Sequence, residues 1–489
     1  MQMIYGVKDR PKAGRLILFS LQQLLAILAA TITVPIVVGH GMSISAALFG
    51  AGVGTVVYLL FTKFKSPVFL GSSFAFLGSM SAAFAGAATA TLGYLGILIG
   101  AILAGLVYVI IAVIVKFAGV KWIDKVMPAV VIGPTVAIIG LSLAGSAIGQ
   151  LTGGTVASTG AYEMNVNGIL CVVCGLVTLV VTIVSSVYGK KLMKMIPFVL
   201  GILAGYVMAA IFTAFSYIDG AESMRIINFE YYFNASNIEW YPNFSFIKLF
   251  DGDFGDANIG AYIGTIAVAY IPVAFVTFAE HLADHKNISS IIETDLLKDP
   301  GLSKTLLGDG VGSMVGAVFG GCPNTTYGES VGCVAISGNA SVITILVTAI
   351  MAVVASFIGP FVAFLASIPD CVMGGVCVAL YGFIAVSGLK MIQKVDLGDN
   401  KNLFVVSVIL IAGVGGMALQ FGKVTVTAIA SALILGILTN VLVHIKDKKS
   451  DKNEQLVMEE VAEGDVLSDL TVTEENTNNE NEGNTNEKL

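Results

Sequence analysis

Charge is what this sequence has least of: Asp, Glu, Lys and Arg make up 12% of its 489 residues, against 56% hydrophobic residues. Soluble domains carry about a quarter charged residues. Half that amount cannot wet the surface of a chain this long, so a soluble enzyme is excluded. Four histidines and six cysteines are too few and too scattered for a metal cluster or a disulfide scaffold. Cys171 and Cys174 form a CxxC, but inside the apolar run GILCVVCGLV, with no second pair and no nearby His. They read as small apolar helix residues, the alternative being a metal or redox site. A basic field is also missing. The net charge is −7, and residues 446–489 alone hold 13 acids against 5 bases, so the rest of the chain is close to neutral and no nucleic-acid partner is expected. The 55 glycines keep no fixed period, which excludes a collagen-like chain and points to close helix packing and broken helices.

What the sequence has in abundance is long apolar runs. Fourteen membrane segments are expected, at about 16–39, 43–61, 68–86, 94–117, 127–149, 168–187 and 195–217, then about 260–281, 305–321, 325–338, 341–366, 370–387, 403–418 and 425–445. Residues 1–15 are short and basic, and no small-residue cleavage site follows, so the first run reads as a retained helix rather than a signal peptide. Residues 446–489, rich in Asn and Glu, are expected as a disordered acidic cytoplasmic tail.

The basic residues test this count. With both termini in the cytoplasm, bases should gather before segment one, after every even segment and in the tail. They do so at Lys8, Arg10, Lys12 and Arg15; Lys63 and Lys65; Lys116, Lys121 and Lys125; Lys190, Lys191 and Lys194; Lys286, Lys298 and Lys304; Lys390, Lys394 and Lys401. Only Arg225, Lys248 and Lys423 fall on the other side. The one sizeable outer loop, 218–259, is acidic and aromatic (Phe229, Tyr231, Tyr232, Phe233, Trp240, Tyr241), and reads as an interfacial cap or as a lid over a substrate path.

The segments divide into two sevens, 16–217 and 260–445. An odd number per half inverts the second half in the membrane. The third segment of each half is interrupted by polar residues, at Leu70-Gly71-Ser72-Ser73-Phe74-Ala75-Phe76 and at Pro323-Asn324-Thr325-Thr326-Tyr327-Gly328-Glu329-Ser330. Matching interruptions in inverted halves mark a transport site near the midplane, because lipid cannot satisfy unwound backbone. Both stretches are poor helix interiors and good strands, and Pro323 breaks any helix entering the second. Lying antiparallel, they could satisfy each other.

Two acids fall inside segments: Glu280, in TFAEHLADH, and Glu329. An intramembrane carboxylate is a functional candidate by default, the bland alternative being a structural hydrogen bond to nearby backbone. Asp284 follows Glu280 at i+4 on the same helical face. Like charges one turn apart disfavour joint ionisation, which suits this pair to carrying a proton; a plain helix-end role is the alternative for Asp284. His281 and His285 point elsewhere, His281 as a satisfied polar residue. Asp309 and Asp370 are expected at segment ends in interfacial roles.

Together with Ser20-Leu21-Gln22-Gln23 and Ala279-Glu280-His281-Leu282, the stretches Gly71–Phe76 and Pro323–Glu329 resemble the nucleobase–ascorbate transporter family (nucleobase:cation symporter 2), nearest its bacterial uracil permease branch, over residues 1–445. The resemblance implies an all-α polytopic membrane protein of fourteen segments in two inverted repeats. A core domain would comprise segments 1–4 and 8–11, and a gate domain segments 5–7 and 12–14. It implies proton symport of uracil across the inner membrane, no cofactor other than the coupling proton, and a homodimer. It assigns base binding to Glu280 and Glu329 and backbone contacts to Phe74 and Gly328. Phe74 or Tyr327 is suited to stacking, and Glu280, Asp284 and Glu329 to proton coupling. Four positions depart from the family pattern: Ser330 for Asn, Ser337 for Thr, Asp284 for the His of uracil permeases, and Gln23 for a frequent His. Asp284, at a place where purine-transporting relatives often have Asp, leaves xanthine or another oxopurine open as substrate. An anion carrier of related fold is a further alternative, which two acids at the site disfavour. A membrane enzyme lacks any nucleophile–base pair.

Overall fold

The computed structural model describes residues 3–445 except 121, 124–126, 191, 235–236, 245–246, 248, 251, 256–257 and 422–423. The predicted tail and Lys121, Lys125, Lys191, Lys248 and Lys423 of the basic pattern lie outside the described residues. The first half runs α1 (Ala13–Val38), α2 (Ile44–Phe61), β1 (Leu70–Ser72), α3 (Leu77–Ala85), α4 (Ala90–Ala118), α5 (Ala129–Ser142), α6 (Ala144–Leu151), α7 (Val166–Tyr188) and α8 (Pro197–Asp219). The second runs α9 (Ile259–Ile292), α10 (Leu302–Val318), β2 (Asn324–Thr326), α11 (Gly328–Ser337), α12 (Val342–Ala355), α13 (Gly359–Ala366), α14 (Asp370–Ile392), α15 (Asn400–Val414), β3 (Leu419–Phe421), β4 (Val424–Val426) and α16 (Ala428–Val443).

Among the described residues, eight helical spans are long and apolar enough to cross a membrane: α1, α2, α4, α5 with α6, α7, α8, α9 and α14. Segment eleven is bent by 86° between α12 and α13. Helix starts follow side-chain chemistry, since Ser43, Thr89, Asn165, Asn258 and Thr427 each accept a hydrogen bond from an amide of the helix they open. The outward faces stay apolar, with Ile110 and Phe117 on α4, Val180 and Val187 on α7, and Val207 and Ile211 on α8 exposed. That surface suits lipid.

The helices pack in two groups. In one, α10 lies along α2 and α4, α9 along α4, and α12 along α2 and α1. In the other, α14 lies along α5, α6 and α7, α7 along α8, and α15 along α16 and α5. Lipid is as apolar as Leu, so close backbone approach has to hold helices together. At Gly54 and Gly312 it does: a Cβ on Gly312 would come within 2.6 Å of the Gly54 carbonyl oxygen. The hairpin β3–β4 was not expected from the sequence, which reads there as the end of one segment and the start of the next.

The interruptions form the expected antiparallel pair. Leu70 faces Thr326, Gly71 faces Thr325 and Ser72 faces Asn324. Amides flanking the strands are satisfied too: Tyr327 N donates to Phe69 O (3.1 Å) and Ser73 N to Pro323 O (2.9 Å). Thr55 Oγ1 accepts from Leu70 N (2.9 Å), and Ser313 Oγ accepts from Asn324 N (2.9 Å). On one face of the molecule Lys65 holds Asp299 through both carboxylate oxygens (2.6 and 2.8 Å), with Lys8 and Lys304 also acting on it. The segment before α1 and the turns after α2 and α9 therefore meet on one side, as the basic pattern predicts.

Candidate functional site

Each strand of the pair feeds a helix that starts in mid-protein: a single 3₁₀ turn at Phe74–Phe76 leading into α3, and α11 at Gly328. First-turn amides of such helices have no partner within the helix and are available to a ligand. Beside them runs α9, whose i, i+4 spacing sets Glu280 and Asp284 on one face.

These elements enclose a cavity of about 350 Å³. Phe74, Glu280, Asp284, Tyr327, Gly328 and Glu329 all line it, with Ser73, Thr325 and Thr326 from the strand region. The structure thus brings every site residue expected from the sequence into one chamber. Glu280, Asp284 and Glu329 share this lining, so three carboxyl groups face one space. Thr326 Oγ1 donates to Asp284 Oδ2 at 2.8 Å. Gly328 lies open to the chamber, and a Cβ there would meet only Asp284 Oδ1, at 3.7 Å, so its amide can be approached closely. The far wall comes from the other helix group: Val136, Phe198, Leu380, Phe383 and Ile384. Ser186, Lys194 and Met391, at or beyond the ends of α7 and α14, mark the mouth, and Lys194 is the one cation among the described lining residues.

The aromatic residues divide their work. The Tyr327 ring covers Gly71, where a Cβ would fall 2.4 Å from it, and its hydroxyl donates to Ser72 O at 2.8 Å, so Tyr327 braces the strand pair. Phe74 stands edge-on to Tyr381 at 5.6 Å between ring centres, joining the two helix groups.

Three features escape sequence reasoning. Gln23 Nε2 donates to Ser330 Oγ at 2.6 Å, and Ser330 Oγ also accepts from Phe69 N at 3.2 Å, so two departures from the family pattern form one contact behind Glu329. Thr326 is a partner of Asp284; the alternation of side chains along β2 was its signal. Asp309 corrects the expectation of an interfacial residue. It is 1% exposed, inside α10, with Oδ2 2.7 Å from His281 Nδ1. His281 Nε2 in turn meets Thr305 Oγ1 at 3.0 Å, as a satisfied polar residue should. Asp309 lies only seven residues into α10, near the start of the segment expected at about 305–321.

A larger hollow of about 710 Å³ lies elsewhere, lined by Arg225, Tyr232, Gln150 and Asp370 among others, and none of the chamber's acids reaches it. Asp370 lines its wall, and loop residues 225–227 and 232 border it. The loop is anchored by Ile226 and Ile227 amides donating to Thr213 Oγ1 at 3.1 and 3.0 Å. Among the described residues no group of His, Cys, Asp and Glu is arranged to hold a metal ion.

Comparison with known proteins agrees with the fold and the motifs. The Permease family model matches residues 14–422. The chain is 38% identical to the uracil permease of Bacillus caldolyticus, over 90% of this chain and 94% of that protein. It is 37% identical to the uracil permease of Bacillus subtilis (92% and 98%) and 34% to that of Escherichia coli (88% and 92%). Among solved structures, the transmembrane domain of a cyanobacterial bicarbonate transporter shares the fold with a TM-score of 0.57 at 15% identity, covering 89% of this chain and 99% of that one. A murine Solute Carrier 26 family anion transporter does so with a TM-score of 0.63 at 13% identity, covering 90% and 69%. A multi-pass helical membrane protein with paired broken segments, matched by this family along most of its length, is a transporter and not an enzyme: the chain belongs to the nucleobase–ascorbate transporter family of permeases.

Proposed function

We propose that this protein imports uracil by proton symport across the cytoplasmic membrane, both termini lying inside. The observation that carries the reading is the chamber itself, where Glu280, Asp284 and Glu329 meet two broken-helix N-termini with Lys194 only at the mouth. Uracil offers two ring N–H donors and two carbonyl acceptors. Glu280 and Glu329 accept from the ring nitrogens, while amides near Phe74 and Gly328 donate to the carbonyls. Phe74 supplies the aromatic face. An anionic ligand would face three acids, which disfavours an anion carrier despite the shared fold. The relatives named uracil permeases support the substrate.

Three carboxylates cannot cross a closed, dry barrier together as anions, because desolvating each costs several kcal/mol. A proton taken up with the neutral base lowers that cost, and the Glu280–Asp284 pair is placed to hold it. The helices of α1–α4 and α9–α13 form the core domain, which carries the broken segments. Those of α5–α8 and α14–α16 form the gate domain, which supplies the far wall. Movement of one against the other exposes the chamber alternately to each side. On this reading the mouth at Ser186, Lys194 and Met391 opens to the cytoplasm. The homodimer implied by the family resemblance belongs to the same proposal.

Labelled uracil uptake in the presence of unlabelled uracil or xanthine tests the substrate. Uracil should compete and xanthine should not. Stronger competition by xanthine would move the assignment to an oxopurine.

A further inference from the structure

Glu329 sits on the second residue of α11, a helix of ten residues. Among the described residues no other side chain hydrogen-bonds its carboxylate, so its place in the chamber depends on where α11 itself is held. One end is fixed by the Gln23–Ser330–Phe69 contact. The other end is held by residues from the very start of the chain. Ile4 N and Tyr5 N donate to Gly338 O at 2.7 and 3.2 Å, Ala340 N donates to Tyr5 O at 2.9 Å, and Val342 N to Val7 O at 3.1 Å. Tyr5 and Asn339 pair as a parallel bridge. Ser341 Oγ donates to Asp9 O at 2.6 Å. The strap is itself shaped, by Gly6 N donating to Asp9 Oδ2 at 2.7 Å and by Arg15 donating to the Tyr5 hydroxyl at 3.1 Å.

Gly338 shows how close the fit is. It closes α11 in the left-handed region, at φ 65°, and a Cβ there would come 3.2 Å from Ile4. A glycine at this position lets the helix end and the strap lie against it. The contacts run along main chain on both sides, so they fix position along the strap as well as proximity, in the way a strand register does.

We propose that the segment Met3–Asp9 is a positioning strap for substrate recognition: it clamps the far end of α11 and so sets the height and tilt of Glu329 in the chamber. The proposal rests on the reading of Glu329 as a uracil ligand. A short helix moves nearly as a rigid rod, so slippage at Gly338 is passed to Glu329, two turns away. Binding geometry loosened by about an ångström is enough to weaken a site. Removing the strap therefore lowers affinity before it unfolds the protein.

The test uses the full-length protein in nanodiscs, with uracil titrated by calorimetry and a melting curve recorded for each variant. Deleting residues 2–9 should weaken uracil binding about 5- to 20-fold, and Ile4→Pro, which removes the shorter of the two hydrogen bonds to Gly338 O, about 3- to 5-fold. Lys8→Ala, an exposed strap residue whose side chain makes none of these bonds, should leave affinity unchanged. Affinity within twofold of wild type for the folded deletion variant would overturn the proposal, even if its melting temperature fell, because a merely structural strap has that signature. If the deletion does not fold, Ile4→Pro decides by the same criterion. A ligand-free readout separates this from failure of the substrate reading: the maleimide labelling rate of Glu329→Cys should change several-fold when residues 2–9 are removed. An unchanged rate would overturn the strap whether or not wild type binds uracil.

Discussion

Helix α9 carries two polar faces that differ in one respect, their partners. Glu280 and Asp284 line the chamber, where, among the described residues, the only hydrogen bond to either side chain is the one from Thr326 to Asp284. His281 and His285 stand one residue further along, are fully buried, and have both ring nitrogens engaged. His281 meets Asp309 and Thr305; His285 meets Tyr58 at 2.7 Å and its neighbour's carbonyl at 2.8 Å. The two imidazoles stack at 4.0 Å. Ionisable groups one position apart on the same helix thus fall into opposite roles. Those left with spare hydrogen-bonding capacity face the chamber, and those with none left hold the helix to α2 and α10. The difference follows from helical geometry, since a step of one residue turns a side chain by about 100°.

The largest effect is expected on the packed face. His281→Ala leaves Asp309 buried without its partner and should cost about 3–5 kcal/mol of stability. A melting temperature equal to wild type would show that the pair is not structural. On the chamber face, Glu329→Gln should leave melting unchanged while lowering uracil affinity at least about 100-fold, because a charged acceptor is replaced by an amide that can turn a donor towards the base. Calorimetry on the purified variant checks it, and wild-type affinity would remove Glu329 from the site. Asp284→Asn sharpens the distinction between binding and coupling. It should reduce proton-driven uptake about tenfold with a smaller change in affinity, and an unaltered response of uptake to the pH gradient would take Asp284 out of the mechanism.

The smallest effect is expected far from both faces, at the exposed Lys65–Asp299 pair. The Lys65 ammonium holds the Asp299 carboxyl below its ordinary value. Its small contribution is therefore present above the unfolded carboxylate value of about 3.9 and is lost as pH falls through the lower folded one. Asp299→Asn should leave the melting temperature near neutral pH almost unchanged. A large drop would mean that the turn after α9 matters more than an exposed ion pair can explain.

Much of the chamber was legible in the sequence because membranes make polar residues conspicuous. Ser72, Thr325 and Glu329 stand out in apolar surroundings, and unwound backbone in lipid has few places to go, so the antiparallel pairing of Leu70–Ser72 with Asn324–Thr326 follows almost from their existence. What stayed hidden needed three dimensions. Asp309 is interior because α10 begins earlier than its hydropathy suggests, and its partner lies 28 residues away on another helix. Gln23 and Ser330 are 307 residues apart, and neither side chain reveals the other. The 86° bend between α12 and α13 is invisible because Phe357 and Ile358 keep the run apolar through the break. The strap at Met3–Asp9 reads in sequence only as a short basic N-terminus, because its hydrogen bonds are made by backbone, which sequence pattern does not display.

Proton-driven uracil transport is tested most directly by labelled uracil uptake into proteoliposomes that contain only this protein, with an imposed inside-alkaline pH gradient. Accumulation above the external concentration is expected, abolished by a protonophore and absent in Glu329→Gln. Uptake that merely equilibrates, indifferent to the gradient and to the protonophore, would contradict proton-driven transport.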